Sequence, residues 1–96
     1  MYAAPAALLA LADEVRARGR CVRRLADTVA HEVAAVEWHG ASADAMRRVV
    51  RLGRDHLLDL ADQHDRVADL LTSHAHRVAD RLGVAAGVVG WLEQVA

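Results

Sequence analysis

The stretch Glu37-Trp38-His39-Gly40-Ala41-Ser42 divides this 96-residue chain in two. Gly40 can adopt the left-handed backbone that ends a helix, and Ser42 can cap the helix that follows. Before this stretch, Leu8, Val15, Val22, Val29 and Val36 recur every seven residues. Leu11 and Leu25 fall at the intervening seam position, which Arg18 and Glu32 interrupt, and Cys21, Leu25, Val29 and Val33 widen the same face. The spacing predicts an amphipathic helix from about Pro5 to about Glu37, with Pro5 in the first turn, where a missing N–H costs nothing. After the stretch, one row reads Ala43, Val50, Leu57, His64, Leu71, Val78 and a second reads Met46, Gly53, Leu60, Val67, His74, Arg81. That pattern predicts a long, proline-free helix from about Ser42 to about Leu82. A short connection folds such helices back on each other. The reading is an all-α, antiparallel two-helix hairpin over residues 1–83, with the bend at Trp38–Gly40.

The charges give an independent argument for that direction. Reflection about Gly40 sets residue i roughly opposite residue 80 − i. Arg16, Arg18, Arg20, Arg23 and Arg24 then face the stretch holding Asp55, Asp59, Asp62, Asp65 and Asp69. Arg47, Arg48, Arg51 and Arg54 face the stretch holding Asp27, Glu32 and Glu37. Each exposed pair contributes only about 0–1 kcal/mol, but opposite signs meet along most of the hairpin, and a parallel arrangement would lose that match.

Composition narrows the function classes. The chain has 21 Ala, 13 Val and 12 Leu, with no Ile or Phe, and aromatics are 3%. This argues against a β-sandwich or a thick globular core. The formal charge is −1, with twelve Arg and no Lys. No basic excess is available to neutralise phosphates, which argues against nucleic acid as a partner. The apolar stretch from Ala3 to Ala12 has no cationic flank before it and meets Asp13 and Glu14 directly, so it does not read as a Sec signal peptide. No run approaches the roughly 20 apolar residues of a membrane span.

A hairpin of this size buries one stripe of each helix, and at about 25 cal/mol per Å2 that burial barely offsets chain entropy. The apolar stripes are too wide for one partner helix: Val33 adjoins Val36, Val49 adjoins Val50, Leu57 adjoins Leu58 and Leu70 adjoins Leu71. Dimerisation into a four-helix bundle is the expected remedy, with Val50, Leu57, Leu60, Val67 and Leu71 at the interface. His64 and His74 occupy seam positions where Leu or Val is usual. Two readings stand for them: a pH-sensitive interface, since imidazoles gain charge between about pH 8 and 5, or edge positions with wetted or bonded nitrogens. From Gly83 the character changes. Gly83, Gly87 and Gly90 lower helix propensity, and residues 84–96 read as a flexible or docking tail carrying Trp91.

Catalytic and metal chemistry find no support. His74 and His76 diverge on a helix, His56 and His64 lie about two turns apart, and no Glu-x-x-His is present. The single cysteine, Cys21, reads as a small core residue beside the seam. No Gly-rich phosphate loop exists. The expectation is a non-enzymatic protein without cofactor or metal.

A chain near one hundred residues, helical on both sides of a bend containing Trp38-His39-Gly40, resembles the WXG (Esx-like) family of type VII secretion. The resemblance implies antiparallel hairpins that pair into four-helix bundles, as homodimers or as heterodimers with another WXG-type hairpin or a larger toxin substrate. It also implies export by the type VII machinery without a Sec signal, from a cytoplasmic pool. Trp38 would pack at the bundle end, against the partner helix or the export apparatus, and Gly40 would permit the bend. One feature departs from the family. Its dimers usually carry a C-terminal Tyr-x-x-x-Asp/Glu signal on one subunit, whereas the only tyrosine here is Tyr2, and Trp91 with Glu93 has the wrong spacing. The departure favours a heterodimer whose other chain supplies the signal. The alternative is a cytosolic helical adaptor or toxin-neutralising partner that is not exported.

Overall fold

A computed structural model describes residues 4–37 and 39–95, with the side chains of 84–86, 88 and 89 outside the description. Two helices, α1 (Pro5–Ala34) and α2 (Ala41–Val95), lie antiparallel in a rod measuring 85 × 16 × 15 Å. No strand occurs among the described residues.

Local chemistry explains most of the helix boundaries. Pro5 stands in the first turn of α1, and Ala4 precedes it without a side-chain cap. The Leu8 N–H donates to the Ala4 carbonyl at 3.1 Å. At the other end the Ala35 N–H donates to the His31 carbonyl at 3.1 Å, and the Val36 N–H to the Val33 carbonyl at 3.2 Å. The second bond tightens the final turn, so α1 stops three residues before the expected Glu37. Gly40 has φ +81°, the left-handed backbone that lets the chain reverse. The Ala43 N–H then donates to the Gly40 carbonyl at 3.1 Å. Because α2 begins at Ala41, Ser42 lies inside its first turn rather than capping it. Asp44 supplies the anion that favours a helix N-terminus. Trp38 falls outside the described residues.

Helix α2 runs past the expected end near Leu82 and continues to Val95. A glycine inside a helix costs about 1 kcal/mol relative to alanine but keeps its N–H, so Gly83, Gly87 and Gly90 weaken the helix without ending it. No proline follows Pro5 to stop it. Since α1 has 30 residues and α2 has 55, the last dozen or so residues of α2 project beyond the start of α1. At 1.5 Å per residue the projection is about 20 Å long.

The line of closest contact differs from the one read from the large apolar residues. Buried in α1 are Ala12, Gly19 and Ala26, and facing them in α2 are Ala61, Ala68 and Ala75, again seven apart. No large side chain is fully buried among the described residues. A Cβ built on Gly19 would stand 3.2 Å from the His64 Cβ and 3.4 Å from the Ala61 carbonyl oxygen. The helix backbones therefore approach closely along a small-residue seam. The seam row of the sequence reading is only half-buried where it includes Leu8, Val15, Val22, Val50, Leu57 and Leu71. The contact at Gly19 and the ion pairs below keep the reflection about Gly40 to within roughly a turn or two.

Candidate functional site

The small-residue seam leaves the hairpin with two unlike flanks. Along one flank, ion pairs tie the helices together. Arg16 donates to Asp69 and to Thr72, both at 3.1 Å. Arg23 forks between Asp62 at 2.8 Å and Asp65 at 2.6 Å, and Arg54 reaches back to Asp27 at 3.1 Å. All three arginines come from the stretches whose charges oppose one another in the sequence. The hydrogen bond from Arg23 holds the Asp65 carboxyl below the usual carboxylate range, against the opposing effect of partial burial. That bond and the one to Asp62 raise Arg23 in turn.

The opposite flank carries the row one residue before the seam, about 100° round each helix: Leu11, Arg18 and Leu25 on α1, Leu60, Val67 and His74 on α2. Here the large apolar side chains are open to solvent, with Leu11 45%, Leu25 52%, Leu60 41% and Val67 47% exposed. Between them runs a groove of about 260 Å3 lined by Val15, Arg18, Leu60, Gln63, His64 and Val67. Val49 and Leu70 extend the strip on the outer shoulder of α2 and are exposed as well. A second hollow of about 370 Å3 lies nearer the bend, between Ala30, Val33, Ala34, Val50 and the two arginines Arg47 and Arg51.

The candidate interface residues thus fall into two groups. Leu60, Val67 and His74 are exposed, on the row available to a partner. Val50, Leu57, His64 and Leu71 are half-buried between the helices, where they support that row. His64 is anchored: its Nδ1 lies 2.8 Å from the Leu60 carbonyl one turn earlier. Its ring borders the groove that also holds Arg18. Trp91 is exposed on the projecting end of α2. Cys21 corrects the sequence reading: it is exposed rather than core, and Arg24 Nη2 donates to its Sγ at 3.0 Å. It lies off both the Ala12–Gly19–Ala26 row and the rows beside it, so nothing from α2 covers it.

The small-residue seam was the part that sequence reading missed. Its signal was present, as the seven-residue spacing of Ala12, Gly19 and Ala26 and of Ala61, Ala68 and Ala75. Among the described residues no group of three or more His, Cys, Asp or Glu is placed to hold a metal ion, and no helix is long and apolar enough to cross a membrane.

The hairpin exposes 7252 Å2. A globular monomer of 10.4 kDa exposes about 5,400 Å2. Part of the excess is elongation, but it exceeds the roughly 800 Å2 that each partner loses in an interface of standard size. Fold and surface together define an all-helical hairpin with one ion-paired flank and one open apolar flank. No protein-family model matches the chain, and neither a curated protein nor a solved structure matches it.

Proposed function

We propose that this chain is a small WXG/Esx-like protein of a type VII secretion system, a secreted substrate or helper partner that acts by dimerising into a four-helix bundle. The observation that carries the reading is the open apolar flank, where Leu11, Leu25, Leu60 and Val67 stand exposed along a two-helix rod. A patch of this kind marks an interaction surface rather than a catalytic pocket. The bend adds support, because Gly40, which the resemblance expects to permit it, has φ +81°. Its partner is another WXG-type hairpin or a larger toxin substrate, and the pair leaves the cytoplasm by the type VII route.

The test compares culture supernatants of the source bacterium with the secretion ATPase intact and deleted. Presence in the first and loss from the second supports the reading. Retention in the cell under both conditions, with a helical companion bound, supports the cytosolic adaptor or toxin-neutralising alternative instead.

A further inference from the structure

We infer that the hollow between Ala30, Val33, Ala34 and Val50, rimmed by Arg47 and Arg51, is a binding site for a monocarboxylate on an unbranched acyl chain, a free fatty acid in class. The site is separate from the open strip at Leu60 and Val67, so it stands whether or not that strip takes a partner.

The ion pairs between the helices follow the heptad, and they stop short of the bend. Arg54 donates to Asp27 at 3.1 Å. Seven residues nearer the bend on each helix stand Arg47 and Ala34. The guanidinium is kept and the facing carboxylate is replaced by a methyl group. The neighbouring row of α1 changes in the same way. Arg16 and Arg23 reach across to α2, and the next member of their row is Ala30. Small side chains on α1 thus open a hollow of about 370 Å3, with Arg47 and Arg51 on its α2 side. That volume lies in the range of small-molecule sites.

Charge selects the head group. Arg47 and Arg51 stand one turn apart on one face of α2. Asp44 lies 3.3 Å from Arg47 and offsets one of the two positive charges. Among the described residues no carboxylate pairs with the exposed Arg51. The last turn of α1 and the first turns of α2 lie side by side here, so their opposite helix dipoles offset each other and the guanidiniums set the sign. One positive charge is left over, which matches a carboxylate rather than a dianionic phosphate.

The lining selects the rest of the ligand. Apart from the two guanidiniums, the side chains around the hollow are hydrocarbon, with Ala30, Val33 and Val50 half-buried. A sugar, a nucleobase or an extended peptide would bring hydroxyls or amides that these side chains cannot bond, at the cost of desolvating them. A partner helix, about 10 Å across, would have to sit on the Arg54–Asp27 pair beside the hollow. An acyl chain confines its polarity to one end. Its carboxylate takes charge-assisted hydrogen bonds from Arg47 and Arg51, in the role that Asp27 plays for Arg54 one heptad away. Its methylenes lie over Val33, Ala34 and Val50, along a heptad's rise of about 10 Å.

The test titrates the purified full chain with octanoate, decanoate and dodecanoate below their micelle-forming concentrations, by calorimetry, with circular dichroism as the fold control. Binding should saturate at one ligand per chain, and each added pair of methylenes should tighten it about fivefold until the hollow is full. Arg51→Gln should weaken decanoate binding about tenfold. Ala34→Asp should abolish it, because an internal carboxylate then faces Arg47 in the ligand's place. Decylamine, with the same chain and the opposite charge, should not bind. An affinity that ignores chain length overturns the site, as does equal binding of decylamine. So does a folded Ala34→Asp chain that binds decanoate like the parent. Should Ala34→Asp fail to fold, Arg51→Gln decides alone: a tenfold loss upholds the site and an unchanged affinity overturns it.

Discussion

Gly19 and His64 meet so closely across the hairpin that a methyl group on Gly19 would lie 3.2 Å from the His64 Cβ. Neither atom can swing aside, since one is a Cβ and the other would be. Gly19→Ala gains up to about 1 kcal/mol of helix propensity but must push α1 from α2 along the tightest part of the seam, at about 1–3 kcal/mol. The expected result is net destabilisation of about 1 kcal/mol in urea melts. Gly53 has nothing within 4 Å of a built Cβ, so Gly53→Ala should stabilise by up to about 1 kcal/mol. Opposite signs at two helical glycines are the signature of the close approach.

The seam should reject size generally. Ala68 is fully buried between the helices. Ala68→Leu should cost about 1–3 kcal/mol by overpacking. The same substitution at the exposed Ala79 should be nearly neutral. Chemical denaturation of the two variants side by side checks the contrast.

Acid should act through Asp65. Its carboxyl is held below the usual range by the hydrogen bond from Arg23. A depressed carboxylate contributes stability that is present above its unfolded value, near pH 4, and is lost as pH falls through the lower folded value. Asp65→Asn should therefore be less stable than the parent at pH 7. The gap should narrow below about pH 4 and close in stronger acid. Thermal melts across pH 2–7 read it directly.

Much of this molecule is legible in its sequence, for physical reasons that differ from residue to residue. Gly40 could be read because few residues take φ +81° without strain. The antiparallel direction could be read because arginines and aspartates oppose one another, and Arg16, Arg23 and Arg54 do find Asp69, Asp62 and Asp27. The seam could not be read from hydrophobic weight. Leu and Val dominate the apolar pattern, yet a close approach selects Ala and Gly, and Leu60 and Val67 are displaced to the outer row. Cys21 was misplaced for the same reason. The end of α2 was misread because three glycines resemble a stop when each is only a weak spot. The row of candidate interface residues splits in the structure, with Leu60, Val67 and His74 exposed and Val50, Leu57, His64 and Leu71 half-buried, and that division needs the register that Gly19 sets.

The most direct test of the account is the mass of the purified full chain in sedimentation equilibrium, from micromolar to millimolar, beside the Leu60→Glu/Val67→Glu variant. The account predicts twice 10.4 kDa for the parent. For the variant it predicts a helical monomer, its dissociation constant raised by about a hundredfold or more. A parent that stays at 10.4 kDa across the whole range, with no companion chain bound in cells, would contradict it.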